Sequence, residues 1–532
     1  MDTFEHIGLG RLLRFVGWNT LKGNPHVHID EQSGILSLDL QGINTDSIPE
    51  ALKLRLDAGT IIGMSGDYFG GKEVSFKLPS LAEFKADRAT YDNAISLGHY
   101  LAYALISEEE EDKLIRSYQK LANPQVSPKD IDTINTINNT NYIPFSATLT
   151  EYVQQLMFAL RVKNYSEMLT RNLSHFTPWS VRAYTIGHHL ALKYARLHFE
   201  FSQYVKDPYY QSDNLDFNQL CATLRPLPNG LDTDTLQDLA HRFQALALGI
   251  EFFSFHYYTD HFAAGHGSFM GDLRAVLPKK FGTWGSILVN GLHDEANRVT
   301  IFTKRPYDPN PDNNAPPIEA GGDGDFDRPN NAHNKQACID GMHASLSDLH
   351  QVFNGDPIPQ QSAFSGVRHL LDVDPNYRQP QPLFILGENN KVYYRTELSK
   401  IRILSPTRLA ATFEAPLENG YTELTSTWAA FILVCKLRLL PFIYQGTLQK
   451  PSEDELCAIE QDELMRNPKR QPIPRPPRDL AQKPASLPVQ QWQKQTASRS
   501  DIMDGLRKNS LLAQKQDTKT TLNTEPAANL SM

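Results

Sequence analysis

Cysteine is scarce in this chain: Cys221, Cys338, Cys435 and Cys457 are the only four in 532 residues, far apart and with no C-x-x-C pair. Neither a disulfide framework nor a cysteine zinc knuckle is expected, so any metal must be held by His and carboxylate. Long apolar runs are lacking too. The best candidate for a membrane span, Trp428-Ala-Ala-Phe-Ile-Leu-Val-Cys435, is followed by Lys436 and Arg438. It falls far short of the ~20 apolar residues a spanning helix needs, so no transmembrane segment is expected and the run reads as a buried helix or strand. There is no excess of positive charge: 52 Lys+Arg stand against 61 Asp+Glu, a net charge of −9. That argues against a protein that holds nucleic acid mainly by charge. The segment Met1-Asp2-Thr3-Phe4-Glu5-His6 has no basic stretch followed by an apolar one, so synthesis in the cytoplasm without a cleavable signal peptide is expected. An internal repeat, a G-x-S-x-G elbow, a P-loop and an H-E-x-x-H helix are all missing.

What remains is a hydrophobic fraction of 40% and a charged fraction of 21%, ample for a sizeable buried core. Three segments are expected. Residues 1–375 mix apolar helical patterns with Asn-, Asp- and Pro-rich loops and read as one helical body. Residues 376–447 form a smaller module with strands, because Leu383 to Arg395 places two apolar runs around Gly387-Glu-Asn-Asn390, a β-hairpin pattern. Residues 448–532 are rich in Gln, Pro, Lys, Asp and Ser, with X-Pro steps at Pro472, Pro474, Pro476 and Pro477, and are expected to be a disordered polar tail with one short helix near Ile502–Leu512.

The most informative stretch is Leu236 to Gly267. Leu239, Phe243, Leu246, Ile250, Phe253 and Tyr257 alternate spacings of four and three, the stripe of an amphipathic helix facing a core. The next inward position is Asp260, with His256 one turn earlier, so the two side chains can converge on one ion. A carboxylate there is costly to bury unless it is paired or coordinates a metal; a hydrogen-bonded His256–Asp260 pair without metal fits the pattern as well. His266 lies about 240° round an ideal helix from Asp260, so it needs a bend, a helix end or a second ion. Similar groups recur nearby: His175 before a helical stretch in which His188 points with the apolar residues, the cluster His293-Asp294-Glu295-Ala-Asn297, and Asp67 in the Gly-flanked turn Gly66-Asp67-Tyr-Phe-Gly70. Histidine nitrogen with carboxylate oxygen is donor chemistry that zinc accepts.

His256-x3-Asp260-x5-His266 followed by His293 resembles the zinc-dependent phospholipase C and P1 nuclease superfamily. The wider set is more similar to the zinc metallophospholipase C family of bacteria and fungi, which includes effectors of intracellular bacteria. That set comprises Ser65 to Gly70, His175-Phe176 with Trp179 and Tyr184, Gly187-His188, Thr259 to His266, and His293 to Asn297 with Gly322-Asp323-Gly324. The similarity spans roughly residues 50 to 350. It implies a mainly α fold: a helical core like that of the zinc phospholipases C, a smaller β-containing C-terminal module and a disordered tail. It also implies two or three zinc ions held by Asp67, His175, His256, Asp260, His266 and His293, with Asp260 bridging and Asp67 as a ligand or the base that orients the attacking water. Asn297 stands where the family has an acid, so Asp294 or Glu295 would supply that oxygen or the second ion would be held more loosely. A further donor would come from His188, His99 or His6.

The implied activity is hydrolysis of the glycerol-side phosphodiester of phosphatidylcholine or a related glycerophospholipid at a membrane surface, giving diacylglycerol and a phosphorylated head group. A zinc nuclease or other phosphodiesterase, and a non-catalytic effector scaffold, are the competing expectations; nucleic acid is not expected as a partner. The tail suits an address for a specialised secretion system that delivers the protein into a host cell. Asp308-Pro-Asn-Pro-Asp-Asn313 with Glu319 has oxygen spacing like a calcium loop, but Asn replaces the Gly at its sixth position and the flanks are proline-rich, which favours a plain surface loop.

Overall fold

The computed structural model describes residues 2–70, 104–143, 147–162, 173–227, 231–306, 317–322, 326 and 328–468. His99, the loop 308–313, the residues Asp323-Gly324-Asp325 and the expected helix at 502–512 lie outside them. The chain is mainly α with small sheets, as the helical periodicities imply.

Helix α1 (Thr3–Gly10) starts on a reciprocal cap between Asp2 and Glu5. A three-stranded antiparallel sheet follows, β1 (Val27–Ile29), β2 (Leu36–Ile43) and β3 (Pro49–Asp57), with Leu38 opposite both Val27 and Leu56. The last residue of β3, Asp57, caps α2 (Ala58–Met64) by accepting from the Thr60 N–H. Helices α1 and α2 approach unusually closely. A Cβ on Gly10 would come within 2.5 Å of Gly59 Cα, and one on Gly63 within 2.7 Å of Ile7, so only glycine permits this approach. Helices α3 (Glu108–Leu121), α4 (Pro128–Asn139) and α5 (Ala147–Arg161) come next.

The centre of the body is a pair of 28-residue helices, α6 (Trp179–Lys206) and α8 (Thr233–Asp260), packed along each other; α7 (Leu215–Leu224) lies between them in sequence. Every residue of the stripe expected in α8 is buried, from Leu239 to Tyr257. They share one core with α2, α6 and the later helix α10 (Ala332–Phe353). Helix α9 (Ser268–Arg298) contains Pro278 and is kinked at Gly282, where φ is 58°. Strands β4 (Ile301–Lys304), β5 (Ile318–Ala320) and β6 (Asp372–Val373) form a second small sheet.

The expected hairpin is present. After β7 (Gln379–Pro380), β8 (Phe384–Leu386) pairs antiparallel with β9 (Val392–Arg395), and Phe384 faces Tyr394. Strands β10 (Lys400–Ile401) and β11 (Ile403–Leu404), helix α11 (Pro406–Glu414) and strand β12 (Tyr421–Glu423) follow. The apolar run at Trp428 becomes α12 (Thr427–Leu439), then α13 (Pro441–Tyr444) and β13 (Thr447–Leu448). Among the described residues no helix is long and apolar enough to cross a membrane.

Two expected boundaries differ. Residues Met1–Arg470 form one compact unit, so no division falls at 375. Leu273, Leu277, Leu288 and Leu292 of α9 pack with Leu383, Phe384, Val392, Leu433 and Val434 in one apolar cluster, and this shared core joins the strands to the helical body. The polar tail also begins later than 448. Glu453–Arg466 is helix α14, started by a Ser452–Glu455 capping box. It is anchored because Arg378 grips Glu463 at 2.7 Å and Thr407 donates to Asp462.

Candidate metal centre

Four segments converge on Asp260, the last residue of α8. Its neighbour one turn back is His256, as the i, i+4 spacing requires. The helix ends there, and a 3-10 turn at Ala264–His266 brings His266 back to the same carboxylate. His175 closes a 3-10 turn just before α6. His6 arrives on α1 through the glycine contact with α2. Asp67 sits in the π-helical turn Ser65–Phe69 that extends α2. A Cβ on Gly66 would clash with the imidazoles of His256 and His175, so only a bare backbone fits between them and the turn.

The distances give the carboxylate two sides. Asp260 Oδ1 faces His6 Nε2 at 3.2 Å and His266 Nδ1 at 3.5 Å, while Oδ2 faces His175 Nδ1 at 2.6 Å and His256 Nε2 at 3.3 Å. Asp67 Oδ1 lies 3.8 Å from both His175 Nδ1 and His256 Nε2. Two overlapping donor sets result, His6–Asp67–His256 and His175–His256–Asp260, with the donor atoms of each set within 4.8 Å of one another. Asp260 and the rings of His6, His175 and His256 are almost wholly buried, but the Asp67 side chain keeps 31% of its exposure. These buried groups can hold a metal ion.

Ring tautomers follow from the outer partners. His256 Nδ1–H donates to the Ile62 carbonyl at 2.8 Å, so Nε2 carries a lone pair toward the acids. Thr259 spends its hydroxyl proton on the Phe255 carbonyl and therefore accepts from His6 Nδ1–H at 2.7 Å, which turns the His6 Nε2 lone pair on Asp260. His266 Nδ1–H donates to the His175 carbonyl at 2.9 Å. Buried His6 Nε2, which faces Asp260 at 3.2 Å, makes no hydrogen bond, whereas the His175 nitrogen on Asp260 is Nδ1 at 2.6 Å, a hydrogen-bonding distance. Nitrogen lone pairs facing a carboxylate with no proton between them repel, and a bound cation turns that repulsion into coordination. The donor set therefore fits a metal.

Electrostatics agree with that reading. Burial and the neighbouring His6 hold the His256 ring well below its ordinary pKa, so it is neutral. Burial works to raise Asp260, yet it is held well below the usual carboxylate range in the company of the His266, His256 and His175 rings. Asp67 is pushed up by desolvation and by Asp260, against the pull of His175.

The remaining expected residues separate from this centre. His293 stands at its edge, its ring 5.0 Å from that of His266 and 3.3 Å through Nδ1 from Asn297 Nδ2. Asp294 pairs with Arg438 through Oδ2 at 2.9 Å and faces His293 Nδ1 through Oδ1 at 3.7 Å, while both Glu295 oxygens are held by Arg395, so Glu295 does not replace the acid missing at Asn297. His188 belongs to a different buried group: Nδ1 contacts Glu251 at 2.9 Å, Nε2 faces Asp348 at 3.5 Å, and Ser345 bonds the same ring. It is a charge-paired core histidine because two carboxylates already occupy its two nitrogens. The orienting partners Thr259 and the Ile62 carbonyl carry no pattern that sequence reading can find. An apolar recess lined by Ala264, Met270, Leu292, Val299, Ile301 and Leu383 runs beside the segments that bear His266 and His293. Compared with protein-family models, curated proteins and solved structures, the chain shows no match.

Proposed function

We propose that this chain is a zinc-dependent phospholipase C that cleaves the glycerol-side phosphodiester of phosphatidylcholine or a related glycerophospholipid. The observation that carries the reading is the split of Asp260 between two pairs of histidines, with a second, partly exposed carboxylate beside them. Nitrogen and oxygen donors without sulfur suit zinc in a hydrolytic site. His6, Asp67, His175, His256 and Asp260 would hold the metal, and the edge residue His293 would add a donor.

When bound, such ions lower the pKa of water toward neutrality and polarise a phosphoryl oxygen. The protein does the rest. The imidazoles of His6, His256 and His266 are locked by their outer partners, which spares reorganisation on binding. Asp67 is the only carboxylate of the centre with solvent access, so it is the group placed to accept a proton from an attacking water and to hold that water in line with the leaving oxygen.

The test combines composition and turnover. Purified protein refolded with zinc is expected to hold about two ions per chain, to hydrolyse phosphatidylcholine in preference to single-stranded nucleic acid, and to lose that activity with a chelator. Asp260→Ala should lose both metal and activity. Less than one zinc per chain, or full activity in Asp260→Ala, would overturn the proposal. Asp67→Asn separates the two roles of Asp67: retained metal with turnover lost marks the base, and metal lost marks a ligand.

A further inference from the structure

Helix α12 is apolar on two opposite sides. Ala430, Leu433 and Val434 face inward and join the cluster shared with α9. Trp428, Ile432, Cys435 and Leu439 recur at spacings of four, three and four and fall within about 60° of arc on the outer side. Trp428 is 68% exposed and Leu439 70%. The face continues into α13, where Phe442 is 81% exposed and Ile443 follows it. A surface helix normally turns a polar side to water, and contiguous apolar exposure marks an interaction surface.

The surroundings of the face favour one occupant. Lys436 and Arg438 lie about 80° to either side of Trp428. Trp284, Phe431 and Trp428 form an aromatic row with ring centroids 4.8 and 5.1 Å apart. An apolar strip edged by tryptophan and long cationic side chains is the composition of segments lying in a bilayer interface: the rings sit at headgroup level and the cations reach the phosphates. Arg438 also grips Asp294, the neighbour of His293, which ties this face to the rim of the metal centre.

We propose that the outer face of α12 and α13 is a docking surface for a phospholipid bilayer. It inserts Trp428, Leu439, Phe442 and Ile443 among the acyl chains, with Lys436 at the phosphates. This deepens the phospholipase reading, but its test reads binding and not turnover, so either can fail alone. The metal-loaded full chain is floated with vesicles of phosphatidylcholine and with vesicles to which phosphatidylserine is added. The wild type is expected to float with both, more strongly with the second. Trp428→Ser/Phe442→Ser, checked for an unchanged melt and zinc content, is expected to bind at least about tenfold more weakly. If that variant does not fold, quenching of wild-type tryptophan fluorescence by brominated-lipid vesicles, reduced in Trp428→Phe, supplies the same answer. No flotation by the wild type, equal flotation by the folded double variant, quenching unchanged in Trp428→Phe, or a solution dimer that the double variant splits, each overturns the proposal.

Discussion

At the residue scale the centre depends on small groups that touch no substrate. Thr259 fixes the His6 ring through one hydrogen bond of 2.7 Å, so Thr259→Val should leave the fold intact and weaken zinc by about tenfold or more, read by competition with a chromophoric chelator. Gly66→Ala forces a methyl against two ligand rings; a cost of about 1–3 kcal/mol in stability is expected, together with weaker metal binding, read by thermal melting and the same titration. His256 and Asp260 were legible because the apolar stripe of α8 sets which side faces inward and the H-x3-D spacing puts both groups there; His266, about 240° further round, was named through the resemblance. His6 could be named only as one of three possible donors. Nothing around it shows that glycines at 10, 59 and 63 will lay α1 against α2 and deliver its ring to a helix 250 positions later.

At the element scale the buried group around His188 pins three helices, since His188 lies on α6, Glu251 on α8, and Ser345 and Asp348 on α10. Burial alone would lower the His188 pKa, but Glu251 and Asp348 outweigh it and raise it to about 9. The folded value thus exceeds the ordinary 6.5, so the stabilisation is complete below about pH 6.5 and is lost as pH rises through about 9. His188→Gln should cost about 3–5 kcal/mol at pH 6, because it leaves buried carboxylates unpaired. The gap to wild type should narrow by pH 10, as measured by urea unfolding across that range. Sequence alone placed His188 on an apolar stripe, where a buried histidine looks the same whether its partner is a metal or an acid. The deciding residues are 63 and 160 positions away.

At the scale of the whole molecule, the strands after residue 376 read as a separate module because their period-2 pattern departs from the helices before them. Pattern does not reveal shared packing. Arg395 of β9 is buried, holds Glu295 of α9 through both nitrogens at 2.9 and 2.8 Å, and donates to the Gln381 and Leu398 carbonyls. Arg395→Ala should therefore destabilise the entire unit by about 3–5 kcal/mol. Far-ultraviolet circular dichroism and tryptophan fluorescence should report coincident unfolding of wild type, with no separate transition for residues 376–468. The placement of His6 also has a consequence for the order of events in the cell. It leaves the ribosome roughly 250 residues before Asp260, an interval on the order of tens of seconds at ordinary elongation rates. During translation the nascent chain thus carries an early donor with no partners to join, and the proposed centre can take up metal only after α8 emerges.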